Sequence, residues 1–390
     1  MLNLIFVCCF IMTKLKVCQI VPYIHNEVSG PSYSVPSLSV AIKKLHYHII
    51  LITLFNKKNT PNWPLKIIQH KPNRFLSRIG WSSVANKWFK NNTEYYDIFH
   101  TNGLWMFPNV MPLKLAFKHG KKCVISPRGT ISKEALKFSK IKKLIFYIFF
   151  QRSILNKVDL IHVTSEDELK DVRKFGLNQP ITIIPNGVDI PKIEYKKDSK
   201  IFKLIYLGRI HPKKGLENAI QAWSSVEKLF PNWVFEIAGL GETKYENNIK
   251  KIISDTGSKS IKYIGPVYGK EKIKFIQTAD ILIMPSYNEN FGMVAAEAMS
   301  NNTPVICGIN TPWTKVTEVD CGWHIPNDSI SIEKTFLKVF KMSKIELLQK
   351  GKNGRLWMRK EYSWEEVATK MLLSYEWLIS KKNKPNWIYL

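Results

Sequence analysis

Eleven short apolar runs, each bounded by turn residues and separated by stretches of helical character, restrict this chain more than any other feature. They fall at residues 16–21, 48–54, 97–100, 122–126, 158–163 and 181–184, then at 202–207, 233–238, 261–264, 280–284 and 304–307. A strand with one wet face alternates apolar and polar residues. A run that is apolar throughout is buried on both faces, which is the condition of a parallel sheet covered by helices. Two series of such runs predict an α/β chain of two Rossmann-like, doubly wound domains, and 390 residues suit two cores better than one. The break is expected near 186–200, where Asn186-Gly187 and Ile190-Pro191 are followed by a polar stretch. The expected division is 1–190, 191–365 and a terminal segment 366–390, with an amphipathic helix from Trp364 to Ile379.

Two segments carry the chemistry. The first is Gly208-Arg209-Ile-His-Pro-Lys-Lys214-Gly215, after the run 202–207 and before a helical pattern. The second is Glu289-Asn290-Phe291-Gly292-Met293-Val294-Ala-Ala-Glu297, after the run 280–284, with a helix expected to start near Phe291. A strand, a glycine turn and a helix start form an anion site, because unpaired backbone N–H groups and the positive end of the helix converge there. Arg209 can grip an anion bidentately and Lys214 acts as a point charge. Two cations and one helix start suit a diphosphate that gains charge as it leaves. Glu297, one to two turns into the helix, would reach a ribose diol, and Glu289 precedes the helix in the loop. Together these features point to a nucleotide-sugar enzyme.

Gly-Arg-x-x-x-Lys-Lys-Gly followed by Ser286-x-x-Glu-x-Phe-Gly-x-x-x-x-Glu-Ala resembles the donor site of retaining glycosyltransferases of family 4, which have the GT-B fold. The two glutamates match that family's Glu-x7-Glu motif. Ile184-Pro-Asn-Gly-Val-Asp189 resembles its interdomain link. Ser126-Pro-Arg-Gly129 and His100-x-x-Gly-Leu-Trp105 resemble segments of a subgroup that builds bacterial surface polysaccharides. The resemblance spans residues 16 to 380 and implies two domains facing a cleft, with the last helix crossing back to the first domain. It implies a nucleotide-sugar donor on the C-terminal domain and a lipid-linked saccharide acceptor on the N-terminal one, for lipopolysaccharide, exopolysaccharide or capsule. It also implies transfer with retention and without a metal or other cofactor. Glu289 would contact the donor sugar or its phosphates, and Gly292 with the amides of 291–294 would cap the diphosphate. The backbone near Val267 would read the base. Gly30 stands where relatives often carry Gly-Gly beside the phosphates. Arg128 and His100 end first-domain strands; Arg128 would face the acceptor, binding phosphate or an acceptor oxygen because arginine is no general base at neutral pH, while His100 reads either as lining the acceptor side or as a satisfied structural histidine.

The net charge of +27 attracts nucleic acid, anionic membrane or polyanionic substrate alike. No nucleic-acid-binding signature accompanies it, so nucleic acid is not an expected partner. The segment 137–157 holds Lys137, Lys140, Lys142, Lys143, Arg152 and Lys157, no acid, and the run Leu144-Ile-Phe-Tyr-Ile-Phe-Phe150. It reads either as a membrane-surface helix or as a core helix with a solvated basic end. Six cysteines without metal or disulfide spacing, and no apolar run of about 20 residues, fit a cytoplasmic protein on the inner face of the cell membrane. The first eleven residues are apolar and lack a basic start or cleavage site, so Met12 is an alternative beginning. No Asp-x-Asp pair, Walker loop, zinc spacing or nucleophile elbow occurs. The rival readings are another GT-B enzyme, such as an epimerase or phosphorylase, and a basic nucleic-acid-binding protein.

Overall fold

In the computed structural model, which describes residues 15–24, 30–55, 62–195 and 200–390, the apolar runs form two parallel sheets. The expectations on the first eleven residues and on Met12 lie outside the described residues. The first sheet contains β1 (Lys16–Ile20), β2 (His48–Leu54), β3 (Ile67–His70), β4 (Ile98–Asn102), β5 (Lys122–Ser126), β6 (Leu160–Val163) and β7 (Ile181–Ile183). Its order is β7-β6-β5-β4-β1-β2-β3, and a short strand at Ile388–Tyr389 adds antiparallel to β7. The second sheet contains β8 (Phe202–Leu207), β9 (Trp233–Ala238), β10 (Ile261–Gly265), β11 (Ile281–Met284), β12 (Val305–Gly308) and β13 (Gly322–Ile325), in the order β10-β9-β8-β11-β12-β13. In each sheet the order reverses beside the first strand. That reversal is the switch point at which open α/β sheets bind ligands, outside the carboxyl ends of the strands.

All eleven expected strands are present, within about two residues at their ends. Three others, β3, β13 and Ile388–Tyr389, have no apolar run to announce them. Each lies at a sheet edge, where only one side needs a partner and the sequence is less constrained.

The chain divides into two compact units. The first holds the described residues up to His162 together with Leu177–Thr182 and Met371–Leu390. The second holds Val163–Gly176 and the described residues of 183–370. This differs from the expected breaks at 190 and 366. The helix Glu166–Lys174 belongs with the second unit because Glu168 and Thr164 are tied to Asn290. The Thr164 N–H and hydroxyl donate to Glu168 Oε2 (2.8 and 2.9 Å), and Asn290 donates to the Thr164 hydroxyl (3.1 Å).

In the second unit the helices Leu216–Val226 and Ser329–Val339 cover one face of the sheet, setting Trp223 and Phe336 over Trp233 and Phe235 of β9, all four fully buried. The Trp233 ring stacks on Phe340 at 4.1 Å. The opposite face packs Met284, Phe291, Met299 and Trp313. Aromatic burial of this kind stabilises by roughly 1.5–3 kcal/mol per side chain before entropy is counted.

Candidate active site

The loops after β8 and β11, the two central strands of the second sheet, hold most of the residues singled out above. After β8 the chain forms a single turn, Pro212–Lys214, closed by Gly215 at φ 64°. A Cβ on Gly215 would lie 2.2 Å from the Pro285 carbonyl oxygen, so only glycine permits this approach. The two loops are joined there, because Tyr287 N–H donates to the Lys213 carbonyl (2.9 Å). Asn218 adds bonds to the Tyr287 hydroxyl (2.9 Å) and the Asn327 carbonyl (2.7 Å).

Lys214 forms an ion pair with Glu289, whose Oε1 also accepts from the Ser286 hydroxyl at 2.8 Å. Lys214 is therefore a cation that carries its own counter-charge. Its side chain reaches across the joined loops and half-buried carboxylate and ammonium offset each other. Arg209 is exposed and pairs with no carboxylate among the described residues.

The helix after β11 is Met293–Ser300, two residues later than expected. Gly292 precedes it at φ 74° with its carbonyl accepting from Trp313 Nε1 at 3.2 Å. Phe291 does not join the helix because its ring is buried against Trp313 (5.1 Å) and Tyr362 (6.0 Å). That anchor fixes the point where the helix begins, and leaves the amides of Met293 and Val294 in its first turn. Glu297 pairs with Lys272 of the helix Gly269–Gln277 (2.7 Å). Val267, in the loop after β10, packs its side chain partly into the core.

Sequence reasoning missed Lys272, Tyr287, Asn218 and Trp313. Lys272, Asn218 and Trp313 lie outside the two motifs and Tyr287 fills an unassigned place within one, so only the chain's folding shows their part at the strand ends. Gly30 opens the helix Gly30–Lys44, and nothing lies within 4 Å of the position a Cβ would take. A side chain would fit there, so that glycine is not required sterically.

In the first unit the motifs around His100 and Arg128 come together at the ends of the paired strands β4 and β5. His100 is fully buried, so of its two readings the structural one fits and the acceptor-lining one does not. Gln19 Nε2 approaches its Nδ1 (3.2 Å), as does the Tyr375 hydroxyl (2.6 Å). With Nδ1 accepting, the ring proton sits on Nε2 and is donated to Ser126 Oγ (2.6 Å), whose hydroxyl then donates to His162 Nδ1 (2.8 Å). Burial, followed by the neighbouring His162 and Arg128, holds the His100 pKa well below its ordinary value. This is a structural histidine.

Arg128 sits at φ 56°, a left-handed conformation that costs a non-glycine residue of order 1 kcal/mol. Its Nε and Nη2 both donate to Asn102 Oδ1 (3.2 and 2.9 Å), and Asn102 in turn donates to Gln19 Oε1 (2.9 Å). The strained residue is thus held at one end of the buried network.

The basic segment forms the helices Lys133–Lys137, Lys140–Phe146 and Arg152–Leu155, the last two joined by a wide turn at Tyr147–Gln151. Phe146, Ile154 and Leu155 face the core, and Phe107 packs on Phe146 and Phe150. Ile141, Leu144, Ile145, Ile148 and Phe149 face outward, with Ile141 75% and Phe149 72% exposed. The segment is therefore docked by one side only, with part of its apolar run in the core and part facing outward. Of its cations, Lys137 pairs with Glu134 (2.8 Å) and Lys143 donates to the Ala135 carbonyl. No helix among the described residues is long and apolar enough to cross a membrane. No group of three or more His, Cys, Asp or Glu among them could hold a metal ion.

Comparison with known proteins agrees with this architecture. The family described as Glycosyltransferase Family 4 matches residues 28–192, and that described as Glycosyl transferases group 1 matches residues 189–357. A D-inositol 3-phosphate glycosyltransferase of Pseudarthrobacter chlorophenolicus is 29% identical over 38% of this chain and 38% of its own length. The chain thus spans well under two thirds of that relative. A GDP-mannose:cellobiosyl-diphosphopolyprenol alpha-mannosyltransferase of Xanthomonas oryzae is 23% identical over 72% of this chain and 73% of its own. The structure of Anabaena Alr3699/HepE in complex with UDP and glucose superposes with a TM-score of 0.70 at 14% identity, covering 93% of this chain and 99% of that one. The two family matches run in tandem through residues 28–357, and with the two parallel sheets they show a glycosyltransferase of GT-B architecture built of a family 4 domain and a group 1 domain.

Proposed function

We propose that the protein transfers a sugar, with retention, from a nucleotide sugar held by its second unit to a lipid-linked saccharide presented at an anionic membrane, in surface polysaccharide synthesis. The observation that carries this is the convergence of Arg209, the Lys214–Glu289 pair and the first turn of Met293–Ser300 on two joined strand-end loops. Such a site holds a diphosphate through a guanidinium, an ammonium and backbone amides, all placed before the reaction begins. As the bond from the sugar's anomeric carbon to the phosphate oxygen breaks, the charge on the leaving oxygen falls on these groups. That oxygen accepts the proton of the acceptor hydroxyl, and the new glycosidic bond forms on the face the phosphate leaves. Arg209 and Lys214 stabilise the leaving group, so no metal is called on for that role. Glu289, held by Ser286 and Lys214, orients the sugar.

The UDP complex of the structural relative supports the donor class, and the polyprenol-linked substrate in the mannosyltransferase's name supports the acceptor class. Arg128, fixed by Asn102, is a candidate phosphate ligand for that acceptor. The outward apolar face of 141–149, flanked by Lys140, Lys142 and Arg152, supports peripheral binding to the inner face of the cell membrane. The test is transfer from UDP-, GDP- and ADP-sugars to lipid-linked acceptors, with the product's anomeric configuration read by NMR. Retained configuration supports the proposal, and inverted product or no transfer from any donor refutes it.

A further inference from the structure

The two oxygens of the Glu297 carboxylate have unlike surroundings. Oε1 accepts from Lys272 Nζ at 2.7 Å. Oε2 is shielded from solvent and receives no hydrogen bond. A buried carboxylate oxygen without a donor is costly, so it marks a place where a donor from outside the chain is accommodated. Lys272 belongs to neither sequence motif. It lies one turn into the helix Gly269–Gln277, and its backbone N–H donates to the Tyr268 carbonyl at 3.2 Å. The pair therefore ties the loop after β10 to the helix after β11. The Glu297 backbone is fixed separately, its carbonyl accepting from the Ser300 hydroxyl (2.9 Å) and Asn301 Nδ2 (2.8 Å). What remains adjustable is the side chain, and Lys272 is the group that holds it.

We propose that Lys272 is a positioning residue that sets the preference for ribonucleotides. By occupying Oε1 it fixes Glu297 so that Oε2 accepts from a ribose hydroxyl of the bound nucleotide. It also offsets one negative charge beside a site that must take a diphosphate. This rests on the reading of the second unit as a nucleoside diphosphate site. A hydroxyl donating to a carboxylate forms a charge-assisted bond, and removing it leaves the buried oxygen without a donor. Replacing the 2′-hydroxyl by hydrogen should therefore weaken binding about tenfold or more.

The test is calorimetric titration of UDP, GDP and ADP, and of their 2′-deoxy counterparts, into the parent, Lys272→Met, Lys272→Arg and Glu297→Gln. Thermal melting of each variant checks that it is folded. The parent should prefer one ribonucleotide over its deoxy form about tenfold or more. Lys272→Met keeps the apolar stem and loses the ammonium. It should weaken the ribonucleotide about tenfold and the deoxy form less than about threefold, so that the preference collapses. Lys272→Arg should restore most of it, and Glu297→Gln should lose it as Lys272→Met does. Should Lys272→Met fail to fold, the Arg and Gln variants decide the matter by the same ratio. A Lys272→Met protein that keeps the ribose preference, or weakens both forms equally, overturns the positioning role. A parent that binds these diphosphates without preferring ribose overturns it too, while leaving the donor-site reading intact. A parent that binds none of the three diphosphates overturns both.

Discussion

Replacing Gly215 by alanine tests how the two loops of the second unit are joined. Two costs follow from the structure. At φ 64° an alanine pays about 1 kcal/mol for a left-handed backbone. Its Cβ would also stand 2.2 Å from the Pro285 carbonyl oxygen, where contacts under 3.0 Å are essentially never seen, so the loops must part by about 0.8 Å. Overpacking of this size costs about 1–3 kcal/mol. The total of about 2–4 kcal/mol should lower the melting temperature by roughly 4–16 °C for a unit of this size. The catalytic consequence is larger than the thermal one. Pro285 precedes Ser286 and Glu289, so the displacement is passed to the residues that orient the sugar. A misplacement near 1 Å can cost about a hundredfold in rate. Steady-state release of nucleoside diphosphate, measured well below the variant's melting temperature, should fall by about that factor. A Gly215→Ala protein with parental melting and turnover would show that the close approach is not a constraint, and the reasoning would fail.

Arg209→Ala and Lys214→Ala should each cost turnover about 2–4 kcal/mol, or roughly thirtyfold to a thousandfold, while EDTA should leave the parent's rate unchanged; a rate restored only by Mg²⁺ or Mn²⁺ contradicts the assignment. Stability should fall as pH drops below about 6.5, because the pKa of His100 is lowered in the folded state and the unfolded chain then binds the proton that the folded one excludes. His100→Gln should reduce that slope by at most about 1.4 kcal/mol per pH unit, and denaturant midpoints between pH 7.5 and 5.5 check it. Joint Lys140→Glu and Lys142→Glu substitution removes two attractions of about 1 kcal/mol each. It should weaken sedimentation with anionic vesicles at least about thirtyfold, with little change in donor hydrolysis. Undiminished binding would exclude this face as the contact.

The strand positions and both donor-side motifs were legible because they depend on local sequence. An apolar run between turn residues is a buried strand wherever it lies, and a glycine beside a helix start is an anion site wherever the fold puts it. What escaped depends on contacts between distant segments. Lys272 and Glu297 are 25 residues apart and sit on different helices. Lys214 and Glu289, 75 residues apart, were both identified, but their pairing was not. His100 stayed open between two readings because a histidine at a strand end has no sequence mark of burial. Its network draws on Gln19, Ser126, His162 and Tyr375 from four other segments. The basic segment was ambiguous for the same reason, since only the packing of Phe146, Ile154 and Leu155 shows which side faces outward. The edge strands β3 and β13 take their structure from a neighbour's hydrogen bonds more than from their own composition.

The central claim is that the second unit binds a nucleotide sugar through Arg209 and the loop-and-helix start at Gly292. Its most direct test is continuous measurement of nucleoside diphosphate release from UDP-, GDP- and ADP-sugars by the parent and by Arg209→Ala, at equal folded concentration. The account predicts saturable release from at least one donor by the parent, and a loss of roughly thirtyfold or more in kcat/KM in the variant. Absence of release and of binding for every donor, or an Arg209→Ala protein that turns over as the parent does, would contradict it.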